Sequence, residues 1–130
     1  MRPEFTVIII GIIVICACNQ QGDGGKKSPS RDFQFAEYYD YYGRRDSAFY
    51  FYNRVVSSST DSLEKGTAYF KMGLRQLEAG DFFSAQESLL SSIKTLDEND
   101  ASHYGNISAA YNTLGNATLE LKDYKTAIEY

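Results

Sequence analysis

Two stretches of this chain repeat each other at a single offset of 42 residues. Tyr69, Met72-Gly73, Leu77-Glu78, Asp81-Phe82 and Ala85 are answered by Tyr111, Leu114-Gly115, Leu119-Glu120, Asp123-Tyr124 and Ala127. So many residue types in one register mark a structural unit used more than once. Such a unit cannot bury its apolar face alone and needs its neighbours to form a core. The apolar positions follow helical spacing, and no stretch alternates as a half-buried strand would.

The local chemistry supports pairs of helices. Gly73 and Gly115 fall inside helices, where glycine costs about 1 kcal/mol relative to alanine. That cost is tolerable where a second helix passes too close for a side chain, and Ala85 and Ala127 are the small residues expected opposite. Gly80 suits the left-handed residue that ends a helix. Asp81 and Asp123 then suit the cap of the next one. Asp61 with Glu64 reads as an N-terminal capping pair. A degenerate third copy lies upstream, where Ala48, Tyr52 and Val55-Val56 match Ala85, Leu89 and Ser92-Ile93. Phe33, Phe35, Ala36, Tyr38, Tyr39 and Tyr42 belong to its first helix, and Gly43 to Asp46 to its turn, with Asp46 as the expected cap. The expected helices span about 31–43, 47–58, 62–79, 82–97, 101–121 and 124 onward. The last has too few residues before Tyr130 to be stable alone, so the sequence reads as cut within a repeat.

This pattern resembles the tetratricopeptide repeat. Tyr69 and Tyr111 stand where that family has tryptophan, Met72-Gly73 and Leu114-Gly115 where it has Leu-Gly, and Ala85 and Leu89 supply its second-helix alanine and large residue. Gln76 and Thr118 depart from its usual tyrosine, and the offset exceeds its usual ~34 residues. The resemblance implies an all-α fold, with antiparallel helix pairs stacked as a right-handed solenoid over residues 31–130 (about 31–60 degenerate, 62–99, and 101–130 truncated). It implies a protein or peptide ligand, no cofactor and no catalysis by this chain. Carried over by position, the ligand-facing residues are Phe70, Leu74, Leu77, Asn112, Asn116 and Glu120, with Thr67, Glu78, Ala109 and Leu119 on the same faces. Tyr69, Gly73, Ala85, Tyr111, Gly115 and Ala127 are the repeat-packing residues.

The N-terminus carries a different signal. Val7 to Ile15 is an apolar run broken only by Gly11, shorter than the ~20 residues of a spanning helix and consistent with a secretory signal. Ile15-Cys16-Ala17-Cys18 resembles the lipobox of bacterial lipoproteins, which implies a signal peptide over residues 1–17 and lipidation at Cys18. Residues 18–30, rich in glycine and serine, read as a tether. The expected location is the cell envelope, anchored through that lipid and facing the periplasm or the cell surface. A lipobox-like leader followed by long repeats is similar to the N-terminal sensory region of Bacteroidota signalling proteins that contain such repeats. There the repeats precede a membrane helix and a histidine kinase core or a transcriptional regulator. A nutrient-uptake surface lipoprotein with a glycan site is a further reading.

Composition excludes several classes. The net charge of −4 argues against a nucleic-acid partner. Both cysteines lie at the end of the leader, so the repeat region has no disulfide framework and no cysteine zinc site. His103 is the sole histidine, and no metal site is expected. Asp97-Glu98-Asn99-Asp100 lacks the glycine and distal glutamate of a calcium loop and reads as an inter-repeat turn. The aromatic cluster from Phe33 to Tyr52, beside Arg44 and Arg45, reads chiefly as core and end-cap packing, with a stacking platform as the functional alternative.

Overall fold

The computed structural model describes residues 27–130, the side chains of Tyr124 and Lys125 excepted. The expected signal peptide over residues 1–17 and the expected lipidation site, Cys18, lie outside the described residues. The fold is all-helical, and no strand occurs among the described residues. Among the described residues the helices are α1 (Arg31–Tyr41), α2 (Arg45–Ser58), α3 (Ser62–Glu78), α4 (Phe82–Thr95), α5 (Tyr104–Glu120) and α6 (Tyr124–Ala127), with a 3-10 turn at Ala101–His103. Among the described residues no helix is long and apolar enough to cross a membrane.

One turn is built three times. It follows α1, α3 and α5, and places Gly43, Gly80 and Lys122 in the left-handed region at φ 70°, 80° and 61°. The residues after them, Arg44, Asp81 and Asp123, share φ near −87° with ψ of 72°, 75° and 71°. Each turn closes with the same two backbone bonds. The left-handed residue donates to the carbonyl three before it: Gly43 to Asp40, Gly80 to Leu77, and Lys122 to Leu119. The next residue donates five back: Arg44 to Tyr39, Asp81 to Gln76, and Asp123 to Thr118. These bonds satisfy carbonyls that a helix end otherwise leaves open.

Side-chain caps then start most helices. Ser30 accepts from Phe33 N, Asp61 from Glu64 N, Asp81 from Ser84 N, and Asp123 from Thr126 N. Each such cap is worth about 1 kcal/mol. The expectation for Asp46 is corrected. Arg44 occupies the cap position of α2 without a side-chain bond, and Asp46 sits in the first helical turn. The turn geometry, not side-chain preference, decides where α2 begins. The expected reciprocal bond at α3 is also redirected. Glu64 accepts from Ser59 Oγ and from Ser30 N, while Asp61 N donates to Ser59 Oγ.

The pairs α1–α2, α3–α4 and α5–α6 pack internally, and α2 packs on α3, α4 on α5, and α3 on α5. Two buried clusters lie at the junctions and contain corresponding residues. The first gathers Phe33, Ala36, Ala48, Tyr52 and Val55 of the first pair with Ala68 and Met72 of α3. The second gathers Leu89 with Ala110 and Leu114, and Phe70, Leu77 and Ile93 pack against it. Ala68 and Met72 precede Ala110 and Leu114 by the same 42 residues. Aligned on the turn, Phe33 corresponds to Phe70, Tyr52 to Leu89, and Ala36 stands in the place of Gly73.

Gly73 is a close approach. A Cβ there would sit 2.7 Å from Leu89 Cγ and 3.2 Å from the Ala85 carbonyl oxygen. At Gly66, two turns earlier on the same face, a Cβ would lie 2.6 Å from Leu96, and the Gly66 carbonyl accepts from buried Ser92 Oγ at 2.7 Å. Gly115 is different. A Cβ there would find Ala127 O at 3.7 Å and Tyr130 Cβ at 3.9 Å, which is ordinary contact. The expected notch between Gly115 and Ala127 is therefore absent, and Gly115 is only half-buried.

Candidate functional site

The first helices of all three pairs contribute to one cleft of about 530 Å³. Phe33 and Glu37 enter from α1, Leu63, Glu64 and Thr67 from α3, and Asn106 from α5. Residues 27–30 and 58–61 also line it. Phe33, Leu63 and Pro29 supply apolar surface. The polar groups are cross-braced: Asn106 Nδ2 donates to Thr67 Oγ1 at 2.7 Å, and Thr67 Oγ1 donates to the Leu63 carbonyl at 2.6 Å. Glu37, Asp61 and Glu64 give the cleft three carboxylates. Lys27 approaches Asp61 at 4.0 Å, and Lys71 approaches Glu37 at the same distance. A cleft with an apolar floor, acidic walls and fixed amide and hydroxyl groups suits an extended segment carrying a basic residue.

Beside this cleft, α1 is tied to α3 by charge. Arg75 Nη2 donates to Asp40 Oδ2 at 3.1 Å, and Nη1 donates to both Glu78 oxygens at 2.8 and 2.7 Å. Arg75 Nε lies 2.7 Å from Asp40 Oδ1 without the alignment of a hydrogen bond. Burial opposes the Arg75 charge, but the bonds to Asp40 and Glu78 outweigh it and hold its pKa above the ordinary arginine value. Burial first, then the Asp40 carboxylate, pushes the Tyr52 phenol well above its usual range. The phenol therefore stays protonated and presents its hydroxyl to Asp40 Oδ2, 3.4 Å away. This network joins α1, α2 and α3.

The expected ligand-facing residues do not share one surface. Phe70 and Leu77 are half-buried against the Leu89–Leu114 cluster, in the packing between consecutive pairs. Asn112 and Asn116 are exposed and line a second groove with Tyr111, Gly115, Leu119 and Tyr130. Leu74 is half-buried, and Glu120 is exposed at the end of α5. By the 42-residue offset, Asn112, Asn116 and Leu119 match Phe70, Leu74 and Leu77. Positions that the second pair uses for stacking are thus open in the third. Tyr111 and Tyr69 are both half-buried, and the Tyr111 ring lies 6.2 Å from that of Tyr130.

Sequence reasoning missed two features. Gly66 carries a signal that was available, a glycine inside a helix on the Gly73 face, but it does not recur at the repeat offset, where Ser108 stands. His103 is buried, and its Nδ1 accepts from Asp97 N at 2.9 Å, closing the loop between α4 and α5. Nothing in the local sequence indicates that bond. Among the described residues no group of three or more His, Cys, Asp or Glu side chains is placed to hold a metal ion.

Comparison with known families, with curated proteins and with solved structures returned no match to this chain.

Proposed function

We propose that the chain is a tetratricopeptide-like repeat module, anchored to a membrane through Cys18, that binds a protein segment rather than catalysing a reaction. The observation that carries this reading is the cleft lined by α1, α3 and α5 together. In a right-handed stack of such pairs, the first helices form the inner wall where an extended peptide lies. The thrice-repeated turn and the two corresponding junction clusters support the stack. The ligand is an extended peptide with a basic side chain directed toward Glu37 and Glu64 and an apolar one on Phe33 and Leu63.

The test is peptide display on the purified full chain, followed by calorimetric titration of the enriched peptides. Asn106→Arg fills the cleft and is expected to weaken binding by about tenfold or more, equivalent to ~1.4 kcal/mol, with a melting point lowered by no more than the loss of the Asn106–Thr67 hydrogen bond, about 1 kcal/mol. Asn112→Ala with Asn116→Ala serves as the contrast, since those residues line the separate groove on α5. Binding that survives Asn106→Arg and is lost in the Asn112/Asn116 variant moves the site to that groove and overturns the cleft assignment.

A further inference from the structure

The face of the first helix pair that turns away from α3 is aromatic and open to solvent. Arg31, Phe35, Tyr38 and Tyr42 follow one another at spacings of four, three and four residues, a single stripe along α1. Ring contacts extend that stripe to α2. Tyr38 and Tyr42 lie 4.8 Å apart, Phe35 and Phe51 5.2 Å, and Tyr50 and Phe51 5.1 Å between centroids. Tyr38, Tyr42 and Tyr50 are 56%, 62% and 58% exposed, far beyond what packing alone requires. Of the carboxylates of α1, Glu37 lies toward Lys71 and the cleft, Asp40 faces Arg75, and Asp32, beside Tyr50, is paired with Arg54. Arg31 lies over the Phe35 ring at 5.5 Å, and Arg44 is exposed at the turn, with Asp46 the acidic residue beside it.

From this geometry we infer that the α1–α2 face is a membrane-contact surface, seated at the headgroup level of the bilayer that holds the anchor. The inference rests on the reading of Cys18 as a lipid attachment site. Cys18 and Ser30, the cap of α1, are 12 positions apart, with 11 residues between them. Fully extended, they reach at most about 40 Å. Lys27 and Ser30 lie beside Asp61 and Glu64 at the start of α3, and a tether of this reach brings the first pair within range of the lipid. Tyrosine suits that depth because its ring enters the apolar boundary while its hydroxyl stays wet. Arginine beside it meets lipid phosphate. A sugar platform fits less well. Tyr39 and Phe51 are stacked on each other with planes 9° apart, so each has a ring face already covered.

The chain has no tryptophan, which makes a single-reporter experiment direct. Tyr42→Trp places a reporter on the face, and Phe83→Trp places one on α4, where Phe83 is also exposed. Each full-length variant is produced with its leader, reconstituted into vesicles of phosphatidylethanolamine and phosphatidylglycerol, and measured with acyl-brominated lipid as quencher. Mass spectrometry of the same samples reports whether Cys18 carries lipid. In the lipidated protein, emission from Tyr42→Trp is expected to fall clearly, because an interfacial aromatic ring meets the brominated acyl boundary, with Phe83→Trp hardly affected. Adding Tyr38→Ser and Phe35→Ser should abolish that quenching while the protein stays on the vesicles. Equal quenching of both reporters, or of neither, in the lipidated protein overturns the inference. If Cys18 proves unmodified, the anchor reading fails, and direct association decides the face. Quenching at Tyr42→Trp that is lost with the serine substitutions upholds it, and no association overturns it. A Tyr42→Trp emission that responds to soluble oligosaccharide and not to bilayer also overturns it.

Discussion

Gly73 and Gly115 occupy the same place in consecutive helix pairs, yet only Gly73 is held against a partner so closely that a side chain is excluded. In α3 the neighbouring helix presses Leu89 and the Ala85 carbonyl onto the glycine. In α5 the matching surface meets only Ala127 and Tyr130, at ordinary contact distance. The difference extends to the rest of that face. Phe70 and Leu77 are engaged by the next pair, whereas Asn112 and Leu119 are exposed. A shared sequence register therefore does not imply a shared packing density. What a position does depends on the helix packed against it.

The largest effect expected from this contrast is at Leu89, which is fully buried and fills the space over Gly73. Leu89→Ala should cost about 2–5 kcal/mol, read as a lower urea midpoint and a melting point lower by several degrees per kcal/mol. Next come the two glycines, with opposite signs. Gly73→Ala gains about 1 kcal/mol of helix propensity but must displace Leu89 and crowd a backbone carbonyl, an overpacking cost of about 1–3 kcal/mol. Its net effect is a loss. Gly115→Ala gains the same propensity with room for the methyl group, so its melting point should rise. Combining Gly73→Ala with Leu89→Ala should cost less than the sum of the two, because the smaller residue vacates the space the new methyl needs. Equal responses at Gly73 and Gly115 would erase the distinction.

The helices and their order were legible because capping residues and the repeat register are local signals. Asp61, Asp81 and Asp123 announce their helices, and Gly80 announces its turn. Arg44 was not legible as a cap position. It is placed by its backbone bond to Tyr39 and by the left-handed Gly43, so the side-chain preference that pointed to Asp46 was irrelevant. The cleft residues Phe33, Leu63 and Asn106 come from three helices and lie 30 and 43 positions apart in sequence, and no spacing rule joins them. Thr67 lay among the ligand-facing positions and does line the cleft. Phe70 and Leu77 were assigned to the same face, but helical rotation turns them toward α5.

A smaller pair of substitutions tests the turns. Gly80 and Lys122 both hold positive φ, but only lysine pays the steric penalty of about 1–2 kcal/mol for an L-residue in that region. Lys122→Gly should therefore raise stability, less than the full penalty because glycine also loses more freedom on folding. Gly80→Ala should lower it by about 1 kcal/mol, although nothing lies within 4 Å of the new methyl. A loss at Gly80 shows that backbone conformation, not contact, fixes the residue there. Thermal melting of the two variants side by side supplies the comparison.

The smallest expected effect lies where α5 is launched and concerns pH. Ser102 donates both its hydroxyl (2.7 Å) and its backbone N–H (2.9 Å) to Asp100 Oδ1. These bonds hold the Asp100 carboxyl below its usual range, with the hydroxyl the larger influence and His103 a minor one. Because the folded-state pKa is lowered, the contribution to stability is complete above the unfolded value and disappears as pH falls through the folded one. Ser102→Ala removes the stronger bond, so the variant should lose less stability than the parent chain on acidification below the ordinary aspartate pKa, while the two differ slightly but constantly at neutral pH. Urea midpoints across that acidic window check it. A parent-like acid response in Ser102→Ala would mean that the 3-10 turn draws its stability from burial of His103 rather than from the Asp100 carboxylate.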